Sequence, residues 1–270
     1  MRKNIVSIVA LFVLLGGVAN AHEWFAAIED TREYQAGERV PLVVYSTDHF
    51  MVGEGIQDAS RNAFFVLQDN KLTNTTVRTR RDEEKKSLTG TFALPAGAPT
   101  MVVVNSVGRA THSTPVGRKA ATRATVKAMG VDITKTTFSE GWCKIYVNPA
   151  SQDRNFDKAL GLPLEIVPVT NPADMAIGKP AVFKVLLHGQ PLRDAAINAT
   201  YKSYNSKDAE AWAVKGTKTD ANGQVTIDIP SAQNARDIWI VQASYSGPVS
   251  GNTDYDEESY DSVISFTVRK

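Results

Sequence analysis

Apolar and polar positions along the chain alternate in short runs, and most of these runs have the length of strands rather than helices. Residues 40–45, 63–68, 75–80, 88–94 and 101–107 are rich in Val, Phe, Thr and Leu, and Gly, Pro, Asn, Asp or charged residues bound each run. The pattern returns at 164–169, 181–187, 195–204, 212–218, 224–229, 237–245 and 259–268. Strands at this spacing with no helices between them predict β-sandwiches. Only 119–129 reads differently: it is alanine-rich and basic, lacks Gly and Pro, and stops at Gly130, which predicts one helix with a glycine cap. The expected fold is all-β, with two immunoglobulin-like or transthyretin-like sandwiches at 22–107 and 159–270 and a bridging segment with the helix at 108–158. His188-Gly189-Gln190-Pro191-Leu192 reads as a turn, and Asn222-Gly223 is a strong local signal for a hairpin.

The first 21 residues follow another rule. Arg2 and Lys3 precede an apolar run from Ile5 to Val18, and Ala19-Asn20-Ala21 supplies a small-x-small cleavage site. That is the pattern of a secretory signal peptide. No later stretch is apolar enough to predict a membrane span, so the expectation is an exported, periplasmic chain. Cleavage after Ala21 leaves 249 residues with 28 basic and 29 acidic side chains. This near-neutral balance gives no reason to expect a nucleic-acid partner. Cys143 is the only cysteine, which excludes an internal disulfide and fits a thiol buried as a small hydrophobe.

Cleavage at that site makes His22 the first residue, with its α-amine beside its own imidazole. Both groups are available as neutral nitrogen donors near neutral pH and can close on one metal ion. His49, in Thr47-Asp48-His49-Phe50 with Glu54 close behind, and His112, in an expected polar loop, are further candidate ligands. Such a nitrogen-rich set suits nickel, cobalt or copper, with copper favoured by intrinsic affinity. The acidic run from Asp254 to Glu258 with Asp261 lacks the glycine and distal glutamate of a calcium loop and reads as a solvated turn. No nucleophile elbow, phosphate loop or His-Glu-x-x-His helix occurs.

Several stretches together carry a family resemblance. They are Ala21-His22-Glu23-Trp24-Phe25, Tyr34-Gln35-Ala36-Gly37-Glu38, Asp48-His49-Phe50 with Gly53-Glu54, and Leu160-Gly161-Leu162-Pro163-Leu164-Glu165-Ile166-Val167-Pro168 followed by Asn171-Pro172. The turns at Gly178-Lys179-Pro180, His188–Leu192 and Thr219–Gly223 extend it. The chain resembles a bacterial exported domain family of unknown function, described as associated with nickel or cobalt uptake. The resemblance implies a periplasmic protein that carries the ion or presents it to a membrane transporter, with His22, His49 and Glu54 as the residues carried over. His112 matches no family position and rests on its chemistry alone. Two other readings use the same sequence: a copper-dependent oxidase or oxygenase built on the His22 chelate, and a non-catalytic envelope scaffold or adhesion protein.

Overall fold

The structure, a computed structural model, describes residues 23–47, 50–68, 71–96, 100–153, 155–204, 212–229, 236–249, 252 and 254–269. His22, His49 and the signal-like segment 1–21 lie outside the described residues. In the first half the strands are β1 (Glu23–Ile28), β2 (Arg39–Thr47), β3 (Asn62–Gln68), β4 (Lys71–Asn74), β5 (Arg78–Asp82), β6 (Ser87–Ala93), β7 (Thr100–Thr114), β8 (Gly117–Lys119) and β9 (Lys135–Val147). Helix α1 (Arg123–Ala128) lies between β8 and β9. The second half carries β10 (Leu164–Pro168), β11 (Pro180–Leu187), β12 (Gln190–Pro191), β13 (Ala196–Tyr201), β14 (Val214–Lys218), β15 (Gln224–Asp228), β16 (Arg236–Pro248) and β17 (Glu257–Arg269).

These strands form three layers. A central sheet runs β14-β13-β16-β17-β9-β7-β3-β4, with β8 added beside β7. One cover sheet, β1-β2-β6-β5, lies on one face; the other, built on β10 and β11 with β12 and β15, lies on the opposite face. Side chains of a strand alternate between faces, so each central strand feeds both cores. Val102, Val104, Cys143, Ile145, Ile238 and Ile240 pack under the first cover sheet. Their neighbours Val103, Tyr146, Trp239, Val241, Ile264 and Phe266 pack under the second. Burial on both faces explains the unbroken apolar runs in these strands, and each fully buried Val or Ile contributes about 1.5–3 kcal/mol.

The architecture is therefore an all-β pair of sandwiches that share their inner sheet. The two halves are stitched by the parallel pairing of β9 with β17, from Glu257↔Thr137 to Ser265↔Ile145. The segment 108–158 contains the expected helix, shortened to Arg123–Ala128 and followed by Gly130 at φ +70°. The rest of the segment continues β7 and supplies β8 and all of β9. A register shift between Ser106 and Arg109 lets β7 pass through Gly108, where the Phe138 ring packs so closely that a Cβ would lie 2.3 Å from its Cζ. An interior glycine that reads as a strand end is here a bulge.

The hairpin expected at Asn222-Gly223 does not form. Asp220 Oδ1 accepts the amides of Asn222 and Gln224, each at 2.8 Å, and makes the turn. The strands on either side separate, β14 to the central sheet and β15 to the cover sheet. Gly223 fits against β11, where a Cβ would meet Val185 O at 2.7 Å. The turn at His188-Gly189, with φ of +49° and +78°, does close a hairpin between β11 and β12.

The Leu160–Pro168 stretch docks the second cover sheet. The Glu165 carboxylate accepts the amides of Leu160 (2.7 Å), Gly161 (3.1 Å) and Leu162 (3.3 Å), which shapes the loop entering β10. The same carboxylate pairs with Lys144 Nζ of β9 at 2.5 Å, with both side chains 2% exposed or less. Lys144 also donates to Ile166 O at 3.0 Å. Burial holds the Lys144 ammonium below the ordinary lysine range in spite of Glu165's opposing pull.

Candidate functional site

One end of the first cover sheet gathers the anchors of the candidate ligands. In the β1–β2 ladder Glu23 pairs with Thr47 and Trp24 with Ser46. The amides of Glu54 and Gly55 both donate to Ser46 O, at 3.3 and 3.2 Å, so the loop returning after β2 closes on the same position. Thr47 Oγ1 donates to Val52 O within this loop. Phe50 is buried edge-on against Phe25, ring centroids 6.0 Å apart. Gly53 lies over the β5–β6 turn, where a Cβ would lie 2.2 Å from Lys85 O and 2.3 Å from Lys86 O. A glycine is required here by backbone approach, and the glycine fixes where Glu54 stands. Glu54 itself is exposed.

His112 does not join this group. It lies in β7, not in a loop, and is 1% exposed. Its Nε2 is 2.9 Å from Ala121 O and its Nδ1 is 2.8 Å from Thr136 Oγ1. A carbonyl can only accept, so Nε2 donates and Nδ1 accepts the Thr136 hydroxyl proton, while Arg123 Nη2 donates to the Thr136 oxygen at 2.9 Å. Both ring nitrogens are occupied in tying the β8–α1 excursion to β7 and β9, which corrects the expectation of a free ligand. His188 is also placed by a partner, with Nε2 3.0 Å from Glu258 Oε1.

The acidic run is likewise a set of tethers. Asp256 accepts the Thr136 amide at 2.6 Å, and Glu257 pairs with Lys135 at 2.5 Å. Among the described residues no group of three or more His, Cys, Asp or Glu is placed to hold a metal ion. Cys143 is fully buried and donates to Ala26 O at 3.1 Å; burial pushes its thiol up to about 12.

Beside the ladder end lies a feature that sequence reading missed. The long central strands run past the cover sheet and leave their groove-facing positions uncovered. A groove of about 1320 Å³ results, walled by Trp24, Ser46 and the 55–61 loop and floored by β7, β9, β16 and β17. Its floor is polar and small, because Arg109, Ser139, Ser259 and Ser246 stand in one row across four strands. Thr111, Thr137 and Glu257 form the next row. The Trp24 ring lies against Gly141 at its inner end, and its Nε1 donates to Asn62 Oδ1 at 3.2 Å. The signal lay in the switch, within β7, β9 and β17, from apolar runs to Ser, Thr and charge.

No curated protein is detectably similar to the chain in sequence. Among solved structures it overlaps the D0-D1 domain of intimin at 13% identity, covering 90% of this chain and 97% of that one with a TM-score of 0.23. The D00-D0 domain of intimin gives 8% identity, 92% and 100% coverage, and the same TM-score of 0.23. At such scores the likeness carries no argument about this fold or its function. A family model matches residues 19–247, most of the chain, including both strands of the β1–β2 ladder. The protein belongs to the family described as Domain of unknown function (DUF4198).

Proposed function

We propose that this is an exported periplasmic protein that binds a divalent transition metal, nickel or cobalt with copper as a competitor, and presents it to a membrane transporter. The observation that carries the reading is the register at the ladder end. Glu23 and Thr47 are partners across β1 and β2, and Ser46 beside them receives the amides of Glu54 and Gly55. His22 is covalently one residue from Glu23, and His49 is two from Thr47 and one from the buried Phe50. The described residues that flank the two histidines in sequence therefore share one end of one sheet with the Glu54 amide.

The donor chemistry fits such an ion. The His22 amine and imidazole, the His49 imidazole and the Glu54 carboxylate make three nitrogens and an oxygen, a set suited to nickel, cobalt or copper. Glu54 either ligates the metal or orients His49 as its hydrogen-bond acceptor. The clamped loop, with Gly53 seated on the β5–β6 turn, holds Glu54 in place without help from the metal.

The test compares calorimetric titrations of the chain beginning at His22 with those of a form retaining Ala21. One-to-one binding of nickel or cobalt that weakens at least a hundredfold when Ala21 blocks the amine supports the proposal. Equal affinity of the two forms removes the terminal chelate, and no binding tighter than about 1 mM, some 4 kcal/mol, removes metal carriage altogether.

A further inference from the structure

The groove beside the ladder end holds three guanidinium groups, those of Arg61, Arg109 and Arg118. Four carboxylates line it as well, each with a hydrogen-bond or ion-pair partner of its own. Asp58 Oδ1 caps the turn at Ala59–Arg61 by accepting the Ser60 amide at 2.9 Å, and Glu140 accepts from Asn105 Nδ2 at 3.2 Å. Glu257 pairs with Lys135 at 2.5 Å, and Asp261 accepts from Ser244 at 2.7 Å. Among the described residues no carboxylate forms an ion pair with Arg61, Arg109 or Arg118. Burial lowers the Arg61 guanidinium from its ordinary range and the nearby positive charge of Arg109 lowers it further, with the Asp58 carboxylate pulling the other way. Two like charges sharing a partly enclosed surface are relieved by an anion between them, and guanidinium forks match a carboxylate in two-point geometry.

The remaining lining sets the rest of the ligand. Ser106, Thr111, Thr137, Ser139, Ser246 and Ser259 present hydroxyls that both donate and accept. Rows on adjacent strands repeat at about 4.8 Å, so the floor offers a lattice of hydrogen-bonding points rather than one pocket. The volume of about 1320 Å³ exceeds the ~300–1,000 Å³ of ordinary small-molecule sites and suits an extended ligand better than a lone ion.

We infer that this groove binds an acidic saccharide, with a carboxylate held between Arg61 and Arg109 and the sugar hydroxyls on the serine and threonine floor. Arg118, beside Ser113 on β8, extends the basic side for a second acidic unit. The assignment uses none of the metal donors.

The experiment is calorimetric titration of chelator-treated mature protein with trigalacturonate, maltotriose and inorganic phosphate. Trigalacturonate is expected to bind at least tenfold tighter than either of the others. R61Q and R109Q should each weaken it tenfold or more while leaving thermal melting unchanged, and Ser139→Val should weaken it several-fold. Equal binding of phosphate would reduce the groove to an ordinary cationic patch, and equal binding of maltotriose would remove the role of the arginines. Unchanged affinity in R109Q, or no binding of trigalacturonate at all, also overturns the assignment.

Discussion

Removing one member of the Lys144–Glu165 pair should have unequal costs for the two partners. In Lys144→Met the carboxylate stays buried but keeps the amides of Leu160, Gly161 and Leu162. In Glu165→Met the ammonium is left with the Ile166 carbonyl, and three amides lose their acceptor. Breaking a buried pair costs about 3–5 kcal/mol, and stranded amides add about 1–3 kcal/mol each where water cannot reach them. Lys144→Met should therefore cost about 3 kcal/mol, and Glu165→Met roughly 5 kcal/mol or more. At about 2–4 °C per kcal/mol for a chain of this size, the first lowers Tm by roughly 6–12 °C and the second by more. The two should also differ in pH dependence. With its partner gone, Lys144 has a folded-state pKa still further below its unfolded value, so the unfolded chain binds the extra proton and stability rises with pH. Glu165→Met should regain stability between pH 7 and 10, while Lys144→Met should not. Urea melts followed by tryptophan fluorescence across that range measure both. Losses under 1 kcal/mol for both variants, or equal losses with the same pH response, would refute this account of how the second cover sheet is docked.

Gly53→Ala should push the loop off the Lys85 and Lys86 carbonyls, lower Tm by several degrees and weaken metal binding in the same titration that tests the His22 chelate. Cys143 should react with a thiol reagent only at the rate of unfolding, because the buried group is both inaccessible and held protonated; fast labelling of native protein would contradict its placement. Asp261 has a carboxyl pKa raised by burial in the folded chain. Its contribution is thus complete below the unfolded value near 4 and is lost as pH rises through the folded one. Asp261→Asn should melt higher than wild type at neutral pH and lose that part of the pH dependence.

Much of the β pattern was legible because strands at the sheet margins alternate and end at Gly, Pro or Asn. The central strands were harder to read. Burial on both faces erases alternation in Val102–Val104, and the bulge at Gly108 hides the fact that β7 continues to Thr114. No local signal shows that β9 pairs in parallel with β17, some 120 residues away, so the shared sheet could not be read from periodicity. The strand β1 was not singled out, because Trp24–Ile28 is apolar on both faces. A single charge inside each of two apolar strands, Lys144 among Cys143–Val147 and Glu165 among Leu164–Val167, was a readable sign of a buried pair. His112 misled because its polar neighbours Thr111 and Ser113 suggest a loop, whereas they face the groove while His112 faces the β8–α1 excursion. The arginines of the groove come from the 59–61 turn, β7 and β8, and only the fold brings them to one wall.

The central claim, that the metal donors meet at the open end of the β1–β2 ladder, is tested most directly by amide NMR of the mature protein with a paramagnetic ion. Substoichiometric copper or nickel should broaden the amides of Glu23, Trp24, Ser46, Thr47, Glu54 and Gly55 first, leaving β10 to β15 sharp. Broadening centred on His188 or the Asp254–Asp261 run, or no selective broadening at all, would contradict it.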